Sequence, residues 1–456
     1  MFVQDDFAAY VMHAANVVEG RPYADIHYVP NHEALWVSPA NGYPPLYPFV
    51  LAPVYWRLGL DLRAMKMVTI GTFVIFLAAF AVWLKPLASP TPRVIAVLLA
   101  GLSPAFWSYR DLISSEFPYL MFSFLALLAI RRGSDAGDGW RQAGWAVLAA
   151  LLLYACYGTR TIGIALSGAL IGAELVRHRK LTRYLVLVLG VVAGLVILQS
   201  LLLTSPRGYM EAAHFSARSV PENLVSYGKS LSHAWENRFS KEAQGGLTVV
   251  LSVFAGLAFW RRIRQGSIEA FYLVIYLTIL LAWGAQIGVR GLLPVLPIYL
   301  TYVSVGIAET VEHWPRSKAR ALVTALAVCV AITYFGGLRR RSGSLPNVND
   351  ASAQELFAFL RTQTQPSDLL LFSKPRAIAL FSGRTTASLG PEESVADSVR
   401  FLQEKDVRFV IQTTWNPASY GRLLSDDGAQ FSEVFRNRDF QVFRVRVGSG
   451  TASLHR

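Results

Sequence analysis

The sequence predicts a polytopic, all-α membrane domain followed by a small α/β domain at the C-terminus. Three observations lead there. Hydrophobic residues make up 53% of the chain and charged ones only 16%, with a mean hydropathy of +0.37; soluble domains carry about a quarter charged residues. Apolar runs of about 20 residues recur, enough to cross about 30 Å of hydrocarbon. From Arg339 onward the composition becomes that of an ordinary soluble domain.

The net charge of +13 does not argue for nucleic acid. The basic residues sit in short clusters between apolar runs, where cytoplasmic loops and anionic lipid headgroups place them. Cys156 and Cys329, the only cysteines, both lie within apolar runs, so there is neither a disulfide framework nor a CxxC metal site.

Taken in order, residues 1–63 read as an external region with interfacial helices. After the adjacent pair Asp5–Asp6, Phe7, Tyr10, Val11, Ala14, Ala15 and Val18 recur at helical spacing, and Gly20 with Pro22 ends the run. This helix is too short and polar to span and suits an interface. Pro45–Gly59 is apolar but short and rich in proline, which predicts a re-entrant or surface helix.

Residues 64–337 form the expected transmembrane domain, with ten spans at 64–84, 92–109, 114–130, 142–157, 161–176, 184–203, 246–260, 267–284, 291–311 and 319–337. Basic clusters fall on alternate connections, among them Arg131/Arg132/Arg141, Arg177/Arg179/Lys180/Arg183 and Arg261/Arg262/Arg264, which assigns those loops to the cytoplasm. Ten spans return the chain to the side it started from, so Asp5–Pro48 and the tail are both expected outside. No spanning segment here precedes Asp5, so a further transmembrane helix is expected upstream. Residues 338–456 alternate strand patterns (368–372, 385–389, 407–413, 440–447) with helical ones (352–363, 393–405), giving the external α/β domain.

The residues that can carry chemistry lie on the outer connections. Acidic residues at a helix start complement its dipole. At a membrane boundary with no basic neighbour in sequence, however, Asp5 or Asp6 can also bind a metal or act as a base toward an acceptor hydroxyl or amine. Asp25 is a weaker candidate. The loop WSYRDLISSEFPYL adds Asp111 and Glu116; the bland reading is an Arg110–Asp111 surface pair with Glu116 capping a helix. Arg160, in YGTRTIGIAL, and Arg290, in QIGVRGLLPVLP, interrupt apolar helices outside, where they either snorkel to headgroups or bind phosphate bidentately. His13, His27, His32 and His214, with Glu33, are also assigned outside. A divalent metal is compatible with them, but no ligand spacing is diagnostic and no cofactor is certain. The loop 204–245, with Tyr209, His214, Arg218, Tyr227 and Lys229, is either a mobile cover over a cleft or an inert surface segment.

DDFAAYVMHAANVVEGRPY followed by GYPPLYPFVLAPVYWRLG resembles the first external loop of GT-C-fold membrane glycosyltransferases, nearest to protein O-mannosyltransferases and lipid A aminoarabinose transferases. SSEFPYLMF, YGTRTIGIAL and RGLLPVLPIYL are similar to later landmarks of these enzymes, in the same order. The resemblance implies a GT-C-like fold of about ten spans. It implies inverting transfer of a sugar from a polyprenyl-phosphate donor to a protein, lipid or glycan acceptor, on the outer face of a bacterial inner membrane. Asp5 or Asp6 then matches the base, Asp111 and Glu116 the second acidic position, and Arg160 and Arg290 the partners of the donor phosphate. Two other classes remain: a lipid or polysaccharide transporter or flippase, which predicts polar residues in mid-helix and internal repeats, and a non-catalytic envelope protein whose tail recruits partners.

Overall fold

The computed structural model of the 456-residue chain describes residues 5–31, 34, 42–137, 139–203, 215–235, 241–284, 287–338, 347–425 and 430–446. Helix covers each of the ten expected spans. Among the described residues, five helices are long and apolar enough to cross a membrane unaided: Leu62–Trp83, Trp140–Thr159, Arg183–Leu202, Lys241–Arg264 and Arg316–Phe335. The others depart for local reasons. Pro90–Leu102 has 13 residues and gives way at Ser103, which Pro104 holds out of helical geometry. Glu116–Asp135 ends in the charged segment Arg131–Asp135, and Ile164–His178 and Ile268–Ala282 have 15 residues each. Five helices rather than ten therefore meet the criteria of a span on their own.

Small and aromatic residues hold this bundle together. Ala146, Ala149, Ala150 and Leu153 line the buried face of helix Trp140–Thr159 and let neighbouring backbones approach. Phe80 and Trp83 meet the Phe124 ring edge-on at 5.1 and 5.3 Å. Val186, Ile197 and Leu201 on helix Arg183–Leu202 stay exposed, as an apolar surface turned to lipid requires.

The C-terminal segment folds around a five-stranded sheet of β1 (Leu369–Leu371), β2 (Thr385–Ala387), β3 (Val407–Gln412), β4 (Gln430–Arg436) and β5 (Gln441–Arg446), ordered β2-β1-β3-β5-β4. β2, β1 and β3 run parallel, and β5 is antiparallel to both β3 and β4. Helices Ala351–Gln363 and Val395–Glu404 match the sequence pattern. β4 and helices Pro375–Ser382 and Ala418–Leu424 add to it.

The start of the chain departs from expectation in one respect. Helix Asp6–Glu19 forms, and Gly20 ends it in a left-handed conformation. Yet every residue from Phe7 through Asn16 is buried, so the helix does not lie at an interface with one face in water. Phe7, Tyr10 and Val11 share one hydrophobic cluster with Tyr47 and Leu51 of helix Leu46–Leu58 and with Leu356, Phe357, Leu370 and Ile378 of the C-terminal domain. The backbone adds to this union. The Thr386 N–H donates to the His27 carbonyl at 2.9 Å, and the Val29 N–H donates to the Thr386 carbonyl at 2.8 Å, extending the sheet past β2. The two ends of the sequence thus pack as one body, and helix Asp6–Glu19 runs through its middle.

Candidate active site

Four helix ends converge beside that body. Asp6 opens helix Asp6–Glu19 and Glu116 opens helix Glu116–Asp135, so each carboxylate sits at the positive end of a helix dipole. Arg160 follows the last residue of helix Trp140–Thr159, at a negative end. It stands in extended geometry before the tight turn Thr161–Gly163. A Cβ on Gly163 would lie 2.5 Å from the Cys156 carbonyl carbon, so only glycine lets the chain fold back closely enough to plant Arg160 there. Arg290 sits in the one-turn helix Val289–Leu292, entered through Gly288 at φ +64° and tied down by the Tyr276 hydroxyl, which donates to the Gly291 carbonyl at 2.8 Å.

These ends bring their charges into a single network. Arg290 Nη1 donates to Asp6 Oδ2 at 2.7 Å, and its Nε donates to Glu116 Oε1. Arg160 Nη1 donates to the same Glu116 oxygen and, at 3.3 Å, to Ser115 Oγ, which also accepts from the Tyr10 hydroxyl at 3.0 Å. Asp6 Oδ1 accepts from the Tyr43 hydroxyl at 2.7 Å. Glu116 is fully buried, and its second oxygen, Oε2, has no hydrogen-bond donor among the described residues. Arg376 completes the set from the C-terminal domain, 3.3 Å from Asp5 and 3.9 Å from Asp6. Three carboxylates (Asp5, Asp6, Glu116) face three guanidiniums (Arg160, Arg290, Arg376), so the cluster is close to neutral, as burial demands.

The adjacent aspartates are in different electrostatic situations. Asp5 accepts the backbone N–H groups of Arg376 and Ala377 at 3.2 and 3.0 Å, serving as a cap for helix Pro375–Ser382. Burial pushes its carboxyl up, against the opposing pull of Arg376 and the Ala377 N–H. Burial acts on Asp6 in the same sense, but Arg290, Arg376 and the Tyr43 hydroxyl together hold it well below the ordinary 3.8.

The other sequence candidates fall elsewhere. Asp111, expected with Glu116 at one acidic position, is instead 77% exposed and paired with Lys66 at 2.7 Å. Arg110, paired with Asp111 in the bland reading, instead stacks over Trp107 at 4.9 Å. Asp25 and His27 are largely exposed, 3.9 Å apart. His13 is buried, its ring stacked on Tyr23 at 4.2 Å and its Nδ1 2.6 Å from the Tyr23 carbonyl. Tyr227 accepts from the Ile287 N–H at 3.3 Å, bracing the segment that leads to Arg290, whereas Arg218 and Lys229 are exposed. His32, Glu33, Tyr209 and His214 lie outside the described residues. The sequence reading missed Arg376 and Tyr43. Its one available signal for Arg376 was Lys374-Pro375-Arg376 at the head of an apolar helical run.

Among the described residues no group of three or more His, Cys, Asp or Glu is arranged to hold a metal ion. The clustered carboxylates are turned to guanidiniums.

The arrangement of helices is GT-C-like and is shared with several solved structures. ArnT from Cupriavidus metallidurans, solved bound to undecaprenyl phosphate, matches with a TM-score of 0.54 at 13% identity over 98% of both chains. The oligosaccharyltransferase AglB from Archaeoglobus fulgidus, solved with an inhibitory peptide and a dolichol-phosphate, matches with a TM-score of 0.53 at 10% identity over 90% of this chain and 67% of its own. An oligosaccharyltransferase from the same archaeon, in complex with Zn and sulfate, matches with a TM-score of 0.55 at 11% identity, over 93% of this chain and 71% of its own. No family model and no curated protein sequence matches the chain. Likeness at this identity establishes the fold; with the five apolar helices, it makes the chain an integral membrane protein.

Proposed function

We propose that this chain is a glycosyltransferase that moves a sugar from a polyprenyl-phosphate donor to a protein, lipid or glycan acceptor. In this reading the ten helical segments span a bacterial inner membrane, and the charged cluster with the C-terminal domain faces outward. Arg290 carries the proposal: one half-buried guanidinium, in the one-turn helix Val289–Leu292, is shared by Asp6 and Glu116, with Arg160 on the same Glu116 oxygen. Two neighbouring arginines suit a lipid phosphate, and the structural relatives bound to polyprenyl phosphates support that choice.

The chemistry follows from competition for Arg290. A carboxylate held as low as Asp6 is a weak base. A donor phosphate entering between Arg160 and Arg290 competes for the guanidinium that depresses Asp6, and Asp6 becomes more basic as its Oδ2 is released. It then takes the proton of the acceptor hydroxyl or amine. The acceptor attacks the anomeric carbon from the face opposite the phosphate, inverting it, and the C–O bond to phosphate breaks. Arg160 and Arg290 stabilise the charge that builds on the departing polyprenyl phosphate. Glu116 holds Arg160 and Arg290 side by side through its Oε1. Asp5, occupied by the helix cap, takes no part in proton transfer.

The test supplies membranes containing the full-length protein with labelled polyprenyl-phosphate sugars. Transfer of label that disappears in Asp6→Asn supports the assignment. Wild-type transfer in Asp6→Asn, Asp5→Asn and the double variant excludes it.

A further inference from the structure

The C-terminal domain enters the cluster through one side chain. Arg376, second residue of helix Pro375–Ser382, is fully buried although it stays charged at any relevant pH. Its guanidinium carbon lies 4.9 Å from the Tyr28 ring centre and 5.2 Å from that of Tyr43, within cation–π range of both. Tyr43 is the residue whose hydroxyl donates to Asp6 Oδ1 at 2.7 Å, and Arg376 Nη1 stands 3.9 Å from that same oxygen. Asp5 meanwhile grips the backbone of Arg376 and Ala377, which fixes where the side chain starts. Capping needs only those backbone N–H groups. The guanidinium itself, through Nη1, donates to Asp5 Oδ2 at 3.3 Å and reaches on to Asp6 Oδ1 at 3.9 Å.

We propose that Arg376 is a positioning residue for Asp6, holding the Oδ1–Tyr43 pair in place once Arg290 turns to the donor phosphate. The inference rests on the reading of Asp6 as the base. In the resting cluster Asp6 is fixed at both oxygens, Oδ2 by Arg290 and Oδ1 by Tyr43. When Oδ2 is released, Oδ1 is the tether that remains among the described residues, and a carboxylate free to rotate would miss the acceptor proton. Arg376 keeps the Tyr43 ring and the carboxylate together, so the C-terminal domain is part of the catalytic apparatus.

The charged and titratable groups around Asp6 come from every neighbouring element. They are Arg290 in its one-turn helix, Arg376 in helix Pro375–Ser382, Tyr43 just before helix Leu46–Leu58, Asp5 and Tyr10 on the chain of Asp6 itself, and Glu116 with Arg160 beyond Arg290. With Arg290 engaged by phosphate, Arg376 is the cation left beside the base. Its loss makes the base easier to protonate.

The experiment compares full-length wild type, Arg376→Met and Arg376→Lys in membranes, measuring transfer across pH together with donor KM and the unfolding midpoint. Arg376→Met is expected to lower kcat at least tenfold with donor KM unchanged, and to move the acidic limb of the profile up by about one pH unit, the size of a single charge effect on a carboxylate. Arg376→Lys keeps the charge but not the fork, so the limb stays while kcat falls. A loss in Arg376→Met that is uniform with pH, or a rise in donor KM, overturns the positioning role. Should Arg376→Met fail to fold, Arg376→Lys decides: reduced kcat at constant KM supports the role, and wild-type kcat removes it. Asp6→Asn run in parallel separates the two claims. Full transfer there removes the base itself. Lost transfer there, with the limb unmoved in Arg376→Met, removes only the role of Arg376.

Discussion

Arg290 and Asp6, 284 residues apart in sequence, meet at 2.7 Å, and the same guanidinium holds Glu116 from a third segment. An ion pair of this kind is not explained as stabilisation. Taking charged groups out of water costs several kcal/mol per ion, and well-packed apolar residues often do as well. The proposed function gives three carboxylates and three guanidiniums at the end of an apolar bundle a task, the binding of a charged ligand.

The two aspartates should separate cleanly on substitution. Asp6→Asn keeps the shape but removes the base, and transfer is expected to fall by about 10²- to 10⁴-fold. Asp5→Asn keeps an acceptor for the N–H groups of Arg376 and Ala377. It also removes the charge paired with the buried Arg376 guanidinium at 3.3 Å, so its expected cost is about 3–5 kcal/mol of stability, with transfer falling less than in Asp6→Asn. Rates and unfolding midpoints of the two purified variants check this; the reverse order of activities refutes the division of roles.

At the second acidic position the contrast is between burial and exposure. Glu116→Gln leaves Arg160 and Arg290 short of a negative partner in a buried site and is expected to cost about 3–5 kcal/mol along with transfer. Asp111→Asn disrupts only the exposed pair with Lys66. An exposed pair is worth about 1 kcal/mol or less, so activity and midpoint should stay at wild-type values. A dead Asp111→Asn enzyme with normal Glu116→Gln transfer would reverse the assignment.

His13 supplies a pH dependence unrelated to the reaction. Burial pulls its imidazole from the ordinary 6.5 to about 4; the hydrogen bond to the Tyr23 carbonyl opposes this and Arg376 reinforces it. Between those values the unfolded chain binds a proton that the folded chain refuses. Stability is therefore complete above about pH 6.5 and declines as pH drops toward 4, by an amount on the order of 3 kcal/mol. Unfolding midpoints across that interval should show the decline in wild type and a shallower one in His13→Gln. Identical slopes contradict it.

Much of the frame was legible in the sequence because it rests on local signals. Apolar runs gave the helices, Gly20 the end of the first helix, and alternation four of the five strands. The sequence also singled out Asp6, Glu116, Arg160 and Arg290, since an isolated charge against apolar helix ends needs a partner or a task. The rest depended on contacts without sequence proximity. Asp5 and Asp6 are equivalent as letters, and only the helix Pro375–Ser382, some 370 residues away, distinguishes them. The first helix looked interfacial because its buried polar positions, His13 and Asn16, find backbone carbonyls from Pro22–Asp25 rather than water. The count of ten spans treated each apolar run as self-sufficient, whereas several are short helices sheltered by their neighbours.

The most direct measurement is the affinity of the full-length protein for polyprenyl phosphate, set against the same polyprenol without phosphate, in wild type and in the Arg160→Met and Arg290→Met variants. A pair of cations shaped for a lipid phosphate predicts that wild type prefers the phosphate strongly, and that each variant loses at least tenfold of that preference, about 1.4 kcal/mol, while still binding polyprenol as before. Equal binding of both lipids by the wild type, or an undiminished preference in both variants, would contradict it.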